Sequence, residues 1–371
     1  MPPRIARLYV NNYRCFINFE LQPERRSLLV GYNGAGKSSI FDVLAAVQDL
    51  VIWNKEASEA FPPETVAKFG GSMDQRFEID VESEWGVFRY ALRLSHDVDR
   101  GETAIASEEV TLSGKPLYGF VEREVQLYGD DHKPSKETFS FSPRRSFLAS
   151  LEPKPMNTRL TWLKTFLHRI WVLRLDPARM TALARTDSDM LLERDASNFA
   201  SLCRYLLQEE PDGLQRAQEP LREIIPGFQH LRMQTAGRTK VLVARFGYPG
   251  GEAYDLDFDA LSDGQKTLIV LYVLLHAGMQ HATVLCLDEP DNFVSISEIQ
   301  PYLVALADVS DESGLQVLLI SHSSEVIDYV GASEAILLER PEGGHTRVGS
   351  IAAGGPLRLS ERMARGWHVA S

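Results

Sequence analysis

Residues 27–47 read SLLVGYNGAGKSSIFDVLAAV. A short apolar run, a glycine-rich loop and a stretch with helical apolar spacing follow one another without a break, so the segment is expected to form strand, loop and helix. Gly31, Gly36, Lys37 and Ser38 satisfy the pattern GxxxxGK[ST]. In that pattern glycines let backbone N–H groups curl round phosphate oxygens, and the positive end of the following helix adds to the attraction. Lys37 is expected to reach the β- and γ-phosphates, and the Ser38 hydroxyl to ligate Mg²⁺. Asn33, Gly34, Ala35 and Ser39 complete the nucleotide-binding turn. The competing reading is a chance glycine turn, which the flanking strand and helix disfavour.

Three further segments lie downstream. In VLCLDEPD (284–291) an apolar run delivers Asp288 and Glu289 to the exit of a buried strand. The first suits support of Mg²⁺ and the second a base that positions the attacking water; the bland alternative is two solvated acids before a proline turn. LSDGQ (261–265) precedes a long apolar helix. Ser262 is a natural N-cap, so these residues read either as a capped helix alone or as a second phosphate site offering a hydroxyl, a close-approach glycine and a positive helix end. LLISHSS (318–324) places His322 at the tip of another strand. A lone histidine is usually structural; one helix after the acidic strand, it is placed to donate a hydrogen bond to a γ-phosphate.

Around these motifs the chain organises itself by periodicity. ARLYV and CFINFEL alternate as strands, and short alternating runs from Phe77 to Tyr118 predict an antiparallel sheet. Residues 128–160 are rich in Lys, Pro, Ser and Asp and read as loops. IWVLRL is a short apolar run, and helical spacing extends from Asp189 to Gln218. HLRMQ, TKVLVARF and YDLDF return to alternation, whereas TVLCLDEP and VLLISHSS are the continuous runs of parallel strands covered on both faces. The expected fold class is α/β, a P-loop core with a mixed central sheet, an antiparallel β subdomain and an inserted helical subdomain. Its expected segments are 1–150 with the glycine loop, 151–235 helical, and 236–371 with the remaining motifs.

With 371 residues, 44% of them hydrophobic, the chain can bury a large core. No run approaches the roughly 18 apolar residues of a membrane span, and the start MPPRIARLYV lacks a secretory apolar run, so the expected location is the cytoplasm, without direct membrane insertion. Cys15, Cys203 and Cys286 make neither a disulfide framework nor a metal pattern. A net charge of −12 argues against coating nucleic acid by bulk electrostatics. The basic clusters at Arg144–Arg145 and at Arg358, Arg362 and Arg365 read most simply as solvated faces.

In their order, GYNGAGKSS, LSDGQ, LCLDEP and ISHS resemble the Walker A, signature, Walker B and switch-histidine motifs of ABC ATPases. NYRCF ahead of the loop narrows the resemblance to the SMC, Rad50 and RecF branch. LDEPDNF and the compact size resemble stand-alone AAA-family ATPases of the overcoming-lysogenization-defect and Septu type, which are often encoded beside a nuclease in antiphage systems. The resemblance implies an ATPase that uses ATP and Mg²⁺. Lys37 and Ser38 would bind phosphate and metal, with Asp288 supporting the metal and Glu289, assisted by His322, catalysing hydrolysis. It implies a homodimer in the ATP state, in which Ser262, Gly264 and Gln265 act in trans on the partner's nucleotide, with DNA or a nuclease or other effector as partner, in antiphage defence or DNA repair. Arg14 matches a basic residue near the nucleotide in related heads, its bland reading being a surface strand charge.

Two departures stand out. Asp263 replaces the first glycine of the common LSGGQ form, and the Q-loop glutamine is not identifiable, since Gln48 lies about 15 Å along the helix from Ser38. Two rival readings follow: a nucleotide-binding subunit of a membrane transporter, disfavoured by NYRCF and by the 224 positions (261 − 37) between Lys37 and Leu261, and a slow-turnover nucleotide-sensing scaffold, supported only by Asp263. No heptads support a coiled-coil tether.

Overall fold

The computed structural model describes residues 2–69, 71–185, 191–278, 281–331, 333–341, 344–351 and 358–364. Arg365 and Asp189, named above, lie outside the described residues. In chain order the elements are β1 (Arg4–Asn11), β2 (Phe19–Leu21), β3 (Arg26–Val30), α1 (Lys37–Val51), α2 (Ala57–Ala60), β4 (Asp74–Ser83), β5 (Gly86–Asp97), β6 (Glu102–Leu112), β7 (Lys115–Val121), β8 (Glu124–Leu127), β9 (Phe139–Ser140), α3 (Thr158–His168) and β10 (Ile170–Leu173). They continue as β11 (Leu183–Ala184), α4 (Phe199–Glu209), α5 (Pro211–Ile224), β12 (Phe228–Ala236), β13 (Thr239–Phe246), β14 (Tyr254–Asp257), α6 (Asp263–Val273), β15 (Val284–Asp288), α7 (Ile296–Ser313), β16 (Gln316–Ile320), α8 (Ser324–Val330), β17 (Ala335–Glu339), β18 (Arg347–Gly349) and α9 (Leu359–Ala364). The chain packs as two units, one of Met1–Ile170, Gln316–Leu318 and Val330–Ser371, the other of Trp171–Leu315 and Leu319–Tyr329.

The first unit holds an eight-stranded antiparallel sheet in the order β2-β1-β4-β5-β6-β7-β8-β9. Alternation along β5 explains it: Phe88, Tyr90, Leu92 and Leu94 are buried, while Arg89 and Arg93 between them face out. Arg89 grips its cross-strand neighbour Asp80 through two bonds of 2.7 Å each. On the buried side, Glu108 accepts from Tyr90 Oη at 2.9 Å, Tyr118 Oη at 2.8 Å and Ser146 Oγ at 2.7 Å, which satisfies a carboxyl with no exposure at all.

The same unit carries the glycine-loop strand. β3 runs parallel to β17, which pairs antiparallel with β18. α1, amphipathic and largely buried, is anchored near its end by Gln48, whose Nε2 donates to Leu167 O at 2.7 Å and Ile170 O at 2.6 Å. Gln48 is therefore a structural tie to the end of α3. α3 lies within 151–235, the segment read as helical, although its first residues fall in the stretch read as loop; sequence reading anticipates neither β17 nor β18.

β15, in the second unit, and β16, of which Gln316–Leu318 belong to the first unit and Leu319–Ile320 to the second, are buried at every one of their five residues, as continuous apolar runs require. A second antiparallel sheet joins β12, β13 and β14, with β11 on β13. α5 turns Leu214, Ala217 and Leu221 inward at helical spacing. α6 is buried from Lys266 to Val273 and relaxes into a π-helical turn over Leu274–Gly278. α7 starts with a capping box between Ser295 and Glu298 and stops at Gly314, whose φ of 73° is the left-handed C-terminal conformation glycine favours. The expected α/β class, with its antiparallel and helical parts, is what the chain adopts.

Candidate functional site

In the first unit the glycine loop closes between β3 and α1. Gly31 has φ 147°, and a Cβ there would fall 2.3 Å from Leu338 O of β17; Gly36 has φ 93°, and its Cβ would fall 2.6 Å from Cys15 Sγ. Neither position accepts a side chain without displacing its neighbours. Gly36 is also the N-cap of α1, so no side chain caps the helix and no acid sits in its first turn. The first-turn N–H groups thus face the loop without the side-chain acceptor that most helices supply, which is the arrangement that receives an anion.

Lys37, only 5% exposed, folds its ammonium onto Gly31 O at 2.7 Å and Tyr32 O at 3.1 Å. Asn33 and Gly34 are exposed at the tip, and Ser38 and Ser39 open the helix half-buried. Ala35 is buried, its carbonyl accepting from Thr346 Oγ1 at 2.9 Å, while the Thr346 N–H donates to Cys15 O at 2.8 Å. Arg340, after β17, donates to Gly34 O at 3.4 Å and lies over the Phe69 ring. Arg14, with φ 49°, lies over the Tyr13 ring, donates to Ser39 Oγ at 3.4 Å and pairs with Asp42. It therefore joins the predicted residues at the first turn of α1. Thr346 and Arg340 carry no signal in the sequence, because about 300 residues separate them from the loop they brace.

In the second unit the exits of β15 and β16 are tied together. Glu289 N–H donates to Ile320 O at 2.8 Å. Glu289 has φ 53°, a conformation that costs a non-glycine residue of order 1–3 kcal/mol and recurs at functional positions. Its carboxylate accepts from Asn292 Nδ2 at 2.8 Å and lies 3.4 Å from His322 Nε2. Asp288, at the strand end, is 7% exposed. Its carboxylate is a hard oxygen donor of the kind that suits Mg²⁺.

Asp291 is the acid that sequence reading passed over, although it stands in LDEPD. Its Oδ2 accepts from Ser321 Oγ at 2.9 Å, and burial pushes its carboxyl above the usual range against that hydrogen bond.

The LSDGQ residues form the start of α6. Ser262 Oγ accepts from Gln265 N–H at 3.3 Å and Gln265 Oε1 from Ser262 N–H at 3.1 Å, a complete capping box. The capping half of the sequence reading is thus what Ser262 and Gln265 do within the chain, and the hydroxyl proton of Ser262 is left to donate. Gly264 lies so close to the loop after β15 that a Cβ would fall 2.5 Å from Phe293 O. Phe293, at φ 69° and 61% exposed, projects from that loop. Asp263 is exposed, 3.9 Å from the Lys266 ammonium.

A family model described as "AAA domain, putative AbiEii toxin, Type IV TA system" matches residues 27–328. No curated protein sequence matches the chain. Among solved structures, an SMC head bound to the C-terminal winged-helix domain of ScpA superposes with a TM-score of 0.57 at 16% identity, covering 96% of this chain and 99% of that one. An Smc head domain with an extended coiled coil, bound to the C-terminal domain of ScpA derived from Pyrococcus furiosus, gives a TM-score of 0.54 at 14% identity, with 98% of each chain covered. Such identities bear on the fold alone. By the match across most of its length, the chain belongs to the AAA-domain family so described, and its fold is similar to that of the nucleotide-binding SMC-head P-loop ATPases.

Proposed function

We propose that the chain binds and hydrolyses ATP and uses the cycle as a switch. The observation that carries this reading is the first turn of α1, uncapped behind a left-handed Gly36, with the buried Lys37 ammonium resting on loop carbonyls that phosphate oxygens can replace. In the roles the motifs suggest, Lys37 and the loop from Asn33 to Ser39 hold the phosphates, Ser38 and Asp288 hold Mg²⁺, and Arg14 lies toward the nucleotide. When bound, Mg²⁺ supplies neutralisation of charge on the phosphates. Glu289 accepts the proton of the attacking water, held for the task by Asn292, and His322 donates to the γ-phosphate.

The exposed Ser262 and the half-buried Gly264 beside it support a head-to-tail homodimer in which these residues and Gln265 meet the partner's nucleotide. The family description refers to a toxin of a toxin–antitoxin system, and both SMC heads are bound to ScpA domains. These favour a partner protein as the recipient of the switch, with DNA as the other candidate. Among the described residues no helix is long and apolar enough to cross a membrane.

Nucleotide binding and turnover of two variants test the reading. Lys37→Ala is expected to lose ATP binding, whereas Glu289→Gln keeps it and loses turnover by about 100-fold or more. Equal loss of binding in both would contradict the roles assigned.

A further inference from the structure

The turn that carries His322 is held from both sides. Ahead of it, Ile320 O receives the Glu289 N–H at 2.8 Å. At Ser321, 2% exposed, one hydroxyl works twice: it donates to Asp291 Oδ2 at 2.9 Å and accepts from the Ser323 N–H at 3.0 Å. His322 lies in the chain between Ser321 and Ser323, which this hydroxyl ties together, its Nε2 3.4 Å from Glu289 Oε1. The backbone clamp sets the height of the turn, and the Asp291–Ser321–Ser323 chain sets its twist, so the direction of the imidazole depends on both.

Stability alone does not account for Asp291. Its Oδ1 is buried with no hydrogen-bond partner among the described residues, and a half-satisfied buried acid costs free energy that an apolar residue there would not. What it provides is a fixed acceptor for the Ser321 hydroxyl, three residues after the metal-side Asp288 and two after Glu289. The loop from Glu289 turns tightly enough to bring it there, with Asn292 N–H on Glu289 O at 3.1 Å and Val294 N–H on Asp291 O at 3.3 Å.

We propose that Asp291 is a positioning residue: through the Ser321 hydroxyl it fixes the turn that presents His322 to Glu289 and to the γ-phosphate. The proposal rests on the ATPase reading above for its catalytic consequence, but its geometric content stands apart from turnover.

The test uses the full chain with Asp291→Ala, Asp291→Asn, Ser321→Ala and the double variant Asp291→Ala/Ser321→Ala. Asp291→Ala is expected to lower kcat about 10- to 100-fold with KM changed less than about twofold, since a misdirected group costs rate more than ground-state binding. Asp291→Asn recovers most of that loss, because its amide oxygen accepts the same hydroxyl proton. Ser321→Ala reproduces Asp291→Ala, and the double variant is no worse than either. Multiplied losses in the double variant, or an Asp291→Asn as slow as Asp291→Ala, would overturn the proposal.

A second readout needs no turnover. The ring signals of His322 by NMR, assigned by their loss in His322→Ala, should move alike in Asp291→Ala and Ser321→Ala and hold in Asp291→Asn. Signals unmoved by Asp291→Ala overturn the proposal whatever the rates. If the unsubstituted chain binds ATP without hydrolysing it, the ATPase reading fails and these signals alone decide for or against the positioning role.

Discussion

Replacing Gly31 with alanine tests how tightly the phosphate loop is built. The added Cβ would stand 2.3 Å from Leu338 O, and real Cβ atoms essentially never come within 3.0 Å of such an atom, so something must move by about 0.7 Å (3.0 − 2.3). The obstacle is backbone in β17, whose Leu337 is in register with Val30 next to Gly31, and it cannot swing aside as a side chain could. The φ of 147° adds a conformation that residues with a Cβ rarely adopt. Together these predict a loss of about 2–4 kcal/mol in unfolding free energy. A displacement approaching 1 Å at the loop should also weaken ATP binding or turnover by on the order of 100-fold. Urea unfolding followed by fluorescence, with nucleotide binding by calorimetry, reads both. An alanine variant within about 0.5 kcal/mol of the parent and binding ATP equally well would refute the claim that loop and strand are packed to contact.

His96 is buried between Thr103 Oγ1 and Gln75 Oε1, at 2.9 Å each, and burial lowers its pKa from 6.5. The unfolded chain therefore binds the proton first, so stability should fall as pH drops below 6.5 toward the lowered value, by at most about 1.4 kcal/mol per pH unit; His96→Gln should flatten that part of the denaturation profile. Glu108→Ala strands three buried hydroxyl groups and should cost about 3–5 kcal/mol by chemical denaturation, whereas Glu108→Gln keeps one acceptor oxygen among them and should cost less. Ser262→Ala and Ser295→Ala each remove a capping box and should each cost about 1 kcal/mol in melting experiments. Only Ser262→Ala should also suppress ATP hydrolysis, which separates capping from action on nucleotide.

Legibility in the sequence followed the range of the interactions involved. The glycine loop, the acidic strand and the histidine strand were readable because each is a local pattern whose period and flanking residues force one conformation, and Ser262 was readable as the N-cap of α6, though not the return bond from Gln265. The start of α3 was obscured by the prolines and lysines ahead of it, which read as loop up to residue 160. β17 is short and β18 carries no apolar alternation, so their place beside β3 depends on tertiary pairing. Gln48 illustrates the same point, since only the fold brings the carbonyls of Leu167 and Ile170 to it. Asp291 was visible as a letter but not as a partner, because Ser321 is 30 residues away. The positive φ of Glu289 has no sequence signal at all, as the residue type disfavours it.

The central claim is that ATP joins two copies of this chain and hydrolysis releases them, and the mass of the Glu289→Gln variant in solution tests it most directly. Light scattering with and without Mg-ATP should show a dimer only when nucleotide is present, with Ser262→Ala in the same background restoring the monomer. A monomer under both conditions, in a variant shown to bind ATP, would contradict the claim.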